Sequence, residues 1–346
     1  MKEKLLFFSI KHPLLYILLL AIVLRLLAVV FTDGYMGFDI YISSYWGIPK
    51  SWLANPWIVY ISRLVLGAFS LLVITLSYRI TKIIADKTTA LEIALLLACL
   101  WGVPYMSVHP VSAFISLPFL LYGTLLIVKQ NKLLKNNEIE KSHRTTFIIA
   151  GFFMGLGFAP SHISVIYYIG VILALLILKN WKGALMTLVG YIVAVGFTQT
   201  AIDLLIYHHP FVIMTKSFVY LGDYLSLFSK DLLYANVMMT LGFLLLLLIL
   251  PLSLMLLFGF FSVWRKYVLL FLPAALLIVC SLFLVFYTYD VILLIIPTYL
   301  IAGYVGWKEY YKQSEFWTKR KWPIWTCYSV FALINTVLLV GSYFYL

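Results

Sequence analysis

PLLYILLLAIVLRLLAVVF, residues 13–31, contains no acid and a single base, Arg25. It has the length that a helix needs to cross a bilayer core, about 20 residues. Its unbroken apolar stretch from Leu14 to Phe31 is longer than a secretory leader, and no small-x-small cleavage site follows, so it reads as a retained span. The same texture continues along the chain. Apolar runs recur at roughly 13–31, 57–81, 89–107, 111–129, 146–160, 163–178, 183–207, 234–262, 267–287, 291–307 and 324–346. The expectation is an all-α polytopic membrane protein with about eleven transmembrane helices.

Composition agrees. Of 346 residues, 64% are hydrophobic and 11% charged, and the mean hydropathy is +1.03. Soluble domains run about 45–50% apolar and about 25% charged, so a soluble globular protein is excluded. No stretch is polar enough for a second unit, and 1–346 reads as a single transmembrane domain. Cys99, Cys280 and Cys327 lie in apolar runs without CxxC spacing, which points to packing and not to a metal or disulfide framework.

The net charge of +12 is a sorting signal. With the N-terminus inside, twenty of the 25 basic residues fall in cytoplasmic segments. The exceptions are Lys50, Lys216 and Lys230 outside, and Arg25 and Arg63 within spans. Basic loops stay in the cytoplasm, which places Leu346 outside and makes nucleic acid an unneeded partner. The connectors 129–144 and 308–323 are then cytoplasmic, the second lying on the anionic inner leaflet among membrane lipids. Six of the seven aspartates gather at the other boundary: Asp33, Asp39, Asp203, Asp223, Asp231 and Asp290. Two outer segments, 32–56 and 208–231, are aromatic and half-polar, as interfacial helices are.

Several residues could carry chemistry at that boundary. Asp39, in GFDIY, could serve as general base for an acceptor hydroxyl, or cap an interfacial helix. Asp33, in TDG, fits turn chemistry. Arg63 and Arg25 lie within spans, where a charge is costly unless it is paired or faces water. Their bidentate forks suit a phosphate; the structural alternative is a pair with an outer acid or snorkelling to the interface. His109 and His162 fall on the outer side and could hold a proton or a sugar hydroxyl. No HExxH or other metal-ligand spacing occurs, and no phosphate-binding glycine loop, so neither metal nor cofactor is expected.

The order RLLAVVFTDGYMGFDIYI, NPWIVYISRLVLGAFSLLVITLSYRITK, GFFMGLGFAPSHISVIYYIGVILALLILKNWKGAL and GYIVAVGFTQTAIDLLIYHHPF, then YVLLFLPAALLIV and IIPTYLIAGYVGW, resembles the GT-C membrane glycosyltransferases. Within them it is similar to bacterial relatives of the GPI-anchor mannosyltransferases, over about 15–307. The resemblance implies a GT-C fold in the bacterial inner membrane and a lipid-linked donor, a polyprenyl-phosphate sugar. It also implies inverting transfer of a hexose such as mannose to an outer-face acceptor. Asp39 matches the loop acid, Arg63 the arginine of the second span, and Asp203 with Tyr207 the end of the seventh. Tyr287, Tyr289 and Asp290 stand where relatives carry a His/Glu/Arg-rich outer loop, and Ile40 follows Asp39 where relatives carry a second acid. These departures sustain a second expectation: a catalytically degraded GT-C subunit that works by binding a membrane-protein partner.

Overall fold

A computed structural model describes residues 12–31, 56–109, 112–135, 143–212, 249–281, 288–313 and 322–344, with isolated positions between 215 and 242. The described residues form helices and no strand: α1 (Pro13–Phe31), α2 (Pro56–Ile84), α3 (Lys87–Cys99), α4 (Gly102–Ser107), α5 (Ser112–Lys135) and α6 (His143–Leu156) come first. They are followed by α7 (Ser164–Ile177), α8 (Trp181–Tyr207), α9 (Leu250–Ser262), α10 (Val268–Ser281), α11 (Thr288–Gln313) and α12 (Trp322–Phe344). Among them, 13–31, 60–84, 114–133 and 181–205 are long and apolar enough to cross a membrane, and five shorter apolar helices accompany them. The protein is thus all-helical with the character of a membrane protein. On α1 and α8 the outward side chains are leucine, isoleucine, valine and phenylalanine, among them Leu19, Val23, Leu185, Ile192 and Phe197. Apolar surface this continuous calls for lipid as its solvent.

Local chemistry sets the helix ends. Pro13 and Pro56 occupy first positions, where the missing N–H costs nothing. Asp86 caps α3 by accepting from Thr89 N at 2.7 Å, and Asn180 caps α8 by accepting from Gly183 N at 2.9 Å.

Expected spans and observed helices differ in places. The run 89–107 breaks at Leu100 and Trp101 into α3 and α4, because Pro104 has no N–H to return to the carbonyl of residue 100. Asn335 of α12 fills the break: its Oδ1 accepts from Trp101 N and its Nδ2 donates to Cys99 O, both at 2.9 Å. Within the run 234–262, α9 begins at Leu250, with Ile249 before it at φ 60° ahead of Pro251. The run 291–307 extends to Gln313, and 111–129 to Lys135, because lysines and glutamate propagate a helix past its apolar part.

α11 occupies the centre, its residues 293–305 buried against α9, α10, α5, α2 and α3. Glycines bring helices into backbone contact. A Cβ on Gly190 would sit 2.0 Å from Ile148 O, and one on Gly151 1.9 Å from Thr187 O, which sets the α6–α8 crossing. Gly259 and Gly306 do the same for α9 and α11, at 2.0 Å from Gly303 O and 2.1 Å from Gly259 O. The three cysteines are partly buried and unbridged.

The basic connections converge on one end of the bundle. There Lys132 Nζ donates to Ile83 O at 2.9 Å, Lys266 pairs with Glu309 at 2.7 Å, and Lys312 lies 4.0 Å from Asp86. Lys308 pairs with Glu92 at the same end. Because the helices alternate in direction, Arg63, His109, His162, Gln199 and Asp203 lie toward the opposite end.

Candidate functional site

On α1, Arg25 and Val29 are one turn apart and buried, and on α2, Arg63, Gly67 and Ser70 line the facing stripe. Gly67 leaves room for the Arg25 stem, whose Cβ lies 3.8 Å from where a Cβ of residue 67 would stand. Arg25 is 4% exposed: its Nε donates to Ser70 Oγ and its Nη1 to Ala21 O at 3.1 Å. Ser70 in turn donates to Gly67 O at 2.6 Å. Arg63 is 6% exposed and donates from Nη1 to Val29 O at 3.3 Å. That carbonyl belongs to the last turn of α1, so the guanidinium meets one of the helix's orphan acceptors and the negative end of its dipole. Both arginines therefore face the α1–α2 interface and not lipid.

His109 completes this group. It sits just past α4, with its ring 4.4 Å from that of Tyr105 and its Nδ1 2.7 Å from Tyr105 O. A carbonyl only accepts, so Nδ1 carries the proton and Nε2 presents a lone pair. Nε2 is buried and has no hydrogen-bond partner among the described residues. The Arg63 guanidinium lies near enough for its charge to act on both His109 and Tyr105. Burial, aided by that charge and opposed by the Tyr105 carbonyl, pushes the His109 imidazole below its ordinary range and keeps it neutral at pH 7.

A second polar group lies where the α6–α7 turn meets α8. His162 packs its ring 4.6 Å from Phe158, and the Gln199 side chain lies close enough to act on it. Burial pushes His162 down to about 4 against the raising effect of Gln199. Asp203, fully buried, follows Gln199 by one turn on the same face of α8. Nearby, Tyr168 and Tyr191 stack at 3.7 Å, and the buried Ser164 Oγ, Tyr168 OH, Tyr191 OH and Gln199 Oε1 lack partners among the described residues. These buried polar atoms keep hydrogen-bonding capacity that the described residues do not fill.

The expected site residues thus gather into two groups: Arg25, Arg63 and His109 around α1, α2 and α4, and His162 with Asp203 at α8. Asp33 and Asp39 lie outside the described residues, as does nearly all of 32–56 and 208–231. Tyr207, Tyr289 and Asp290 are placed only as backbone at helix ends. Sequence reasoning passed over Ser70, Tyr105 and Gln199. Ser70 is seven residues after Arg63 and Gln199 four before Asp203, so helical periodicity was the signal that would have found them. Among the described residues no three His, Cys, Asp or Glu side chains gather as metal ligands would. In comparisons with known proteins, no family model and no curated protein matches the chain.

Proposed function

We propose that the protein is a GT-C-type membrane glycosyltransferase with about eleven spans in a bacterial inner membrane, its N-terminus cytoplasmic and its C-terminus outside. It moves a hexose, mannose-like, from a polyprenyl phosphate to an outer-face acceptor. The observation that carries this reading is the buried Arg63 beside His109, whose Nε2 has no partner among the described residues. The planar, permanently charged guanidinium of Arg63 suits the phosphate of the leaving lipid. The His109 lone pair suits a sugar hydroxyl. In the displacement, the acceptor oxygen bonds to the anomeric carbon and the carbon–oxygen bond to phosphate breaks. The electron pair leaves on the polyprenyl phosphate, and the acceptor proton passes to Asp39. His162, Asp203 and Asp290 would hold sugar or acceptor hydroxyls near the same boundary.

The purified chain, given a polyprenyl-phosphate hexose and a hydroxyl acceptor, is expected to transfer sugar. Asp39→Asn should then cut the rate by about 10²–10⁴-fold with an unchanged Tm. Wild-type rates in that variant would remove Asp39 from the mechanism.

One observation favours the second reading, a degraded GT-C subunit bound to a membrane-protein partner. Arg25 and Arg63 both donate to helix carbonyls, as purely structural arginines do. Absence of turnover with every polyprenyl-phosphate donor, together with a stably co-purifying membrane protein, would select it.

A further inference from the structure

At the lysine-rich end a cavity of about 540 Å³ opens where the end of α2, α5, the α7–α8 turn and the α9–α10 connection meet. Its walls are of two kinds. Ile83, Ile84, Val128, Leu178 and Val268–Leu270 make one side apolar, while Lys132, Lys179 and Lys266 with Asn131, Asn180 and Tyr267 make the other polar. No acid lines it. The carboxylate of Glu309 is taken up by two of the lining side chains, Lys266 Nζ and Tyr267 OH, both at 2.7 Å. Lys132 spends one proton on Ile83 O, and Lys179 pairs with no acid among the described residues. Asn131 Oδ1 accepts from Asn180 at 3.3 Å, yet Asn131 Nδ2 is buried without an acceptor among the described residues.

Lys179 is also held at φ 58°, the left-handed conformation at the end of α7, where its N–H bonds Leu176 O at 2.9 Å. Glycine is the ordinary occupant of that position, because a side chain there is strained against the backbone. Lys179 is exposed and adds its charge to the cavity lining. The cavity therefore offers excess positive charge, an unused donor and an apolar wall side by side. That combination suits an anion with a hydrocarbon part.

We propose that this cavity binds the phosphate headgroup of an anionic membrane lipid, with Lys132 and Lys179 on the phosphate and the acyl chain along Ile84, Leu178 and Leu270. It is independent of the transferase reading, which concerns the opposite end. The test uses the full chain in detergent, titrated with phosphatidylglycerol, phosphatidylcholine or inorganic phosphate and followed by native mass spectrometry. Phosphatidylglycerol should bind saturably and at least about tenfold tighter than phosphatidylcholine, and inorganic phosphate should not displace it. At about fivefold for each lysine, Lys179→Gly should weaken phosphatidylglycerol about fivefold and Lys132→Gln with Lys179→Gly about 25-fold. Lys179→Gly also relieves the backbone strain, so its lipid-free Tm should not fall, and loss of binding cannot be ascribed to misfolding. Lys82→Gln, exposed on α2 outside the cavity, should bind as the wild type does. Equal affinity for the two lipids, an equal loss in Lys82→Gln, or unchanged binding in the double variant would overturn the proposal. Displacement by inorganic phosphate would overturn the lipid as occupant and leave a free phosphate in its place.

Discussion

His162 shows how much of a residue's chemistry comes from its surroundings. The sequence APSHIS marks a histidine in a turn, but burial beside Phe158 takes its pKa from 6.5 to about 4. The folded state then binds fewer protons than the unfolded chain across that interval, so stability is full above about 6.5 and falls as pH drops toward about 4. His109, pushed down by burial as well, acts in the same direction. The Tm of the wild type is therefore expected to fall between pH 6.5 and 5, less steeply in His162→Gln. An equally steep fall in that variant would take His162 out of the effect. Arg63 makes the complementary case. A charge within a span needs a partner, and this is legible from sequence. That the partner includes the Val29 carbonyl, 34 positions away in sequence, is decided by how α1 and α2 pack.

Elements were more legible than their joints. The helices follow the apolar runs, and their ends follow cap chemistry at Asp86 and Asn180. What periodicity does not carry is the break between α3 and α4, because the amide that satisfies it comes from Asn335, more than two hundred residues on. Nor does it distinguish glycines. Gly190 and Gly196 lie on one helix six residues apart, yet a Cβ at 190 meets the α6 backbone at 2.0 Å while one at 196 meets nothing within 4 Å. Gly190→Val should accordingly destabilise by about 1–3 kcal/mol through overpacking. Gly196→Ala should be neutral or stabilise by up to about 1 kcal/mol through helix propensity. Thermal unfolding in one detergent measures both, and a Gly190→Val Tm at the wild-type value would remove that glycine from the α6–α8 crossing.

At the scale of the molecule, the charges separate as the loops do. Lys132, Lys266, Lys308 and Lys312 come from three different connections and meet Ile83, Glu309, Glu92 and Asp86 at one end. Under the charge rule that end faces the cytoplasm. In a chain with its three cysteines replaced, a membrane-impermeant maleimide should label His209→Cys in intact cells. Lys182→Cys, exposed at the lysine-rich end, should react only after permeabilisation. The reverse pattern would invert the topology.

Helical class, the apolar runs and the two-ended distribution of charge were determined by the sequence by itself, because hydropathy, length and charge are properties of consecutive residues. Arg63, His109 and His162 were likewise legible, as charged or titratable residues within or beside apolar runs. Tertiary structure alone decided the rest. It set His109 beside Arg63, brought Gln199 near His162, gave Asn335 the broken turn and gathered two helices, a turn and a connection around one basic cavity. Each of these depends on which faces of separate helices approach, and close approach is settled by glycines and buried hydrogen bonds whose partners lie far apart in the chain.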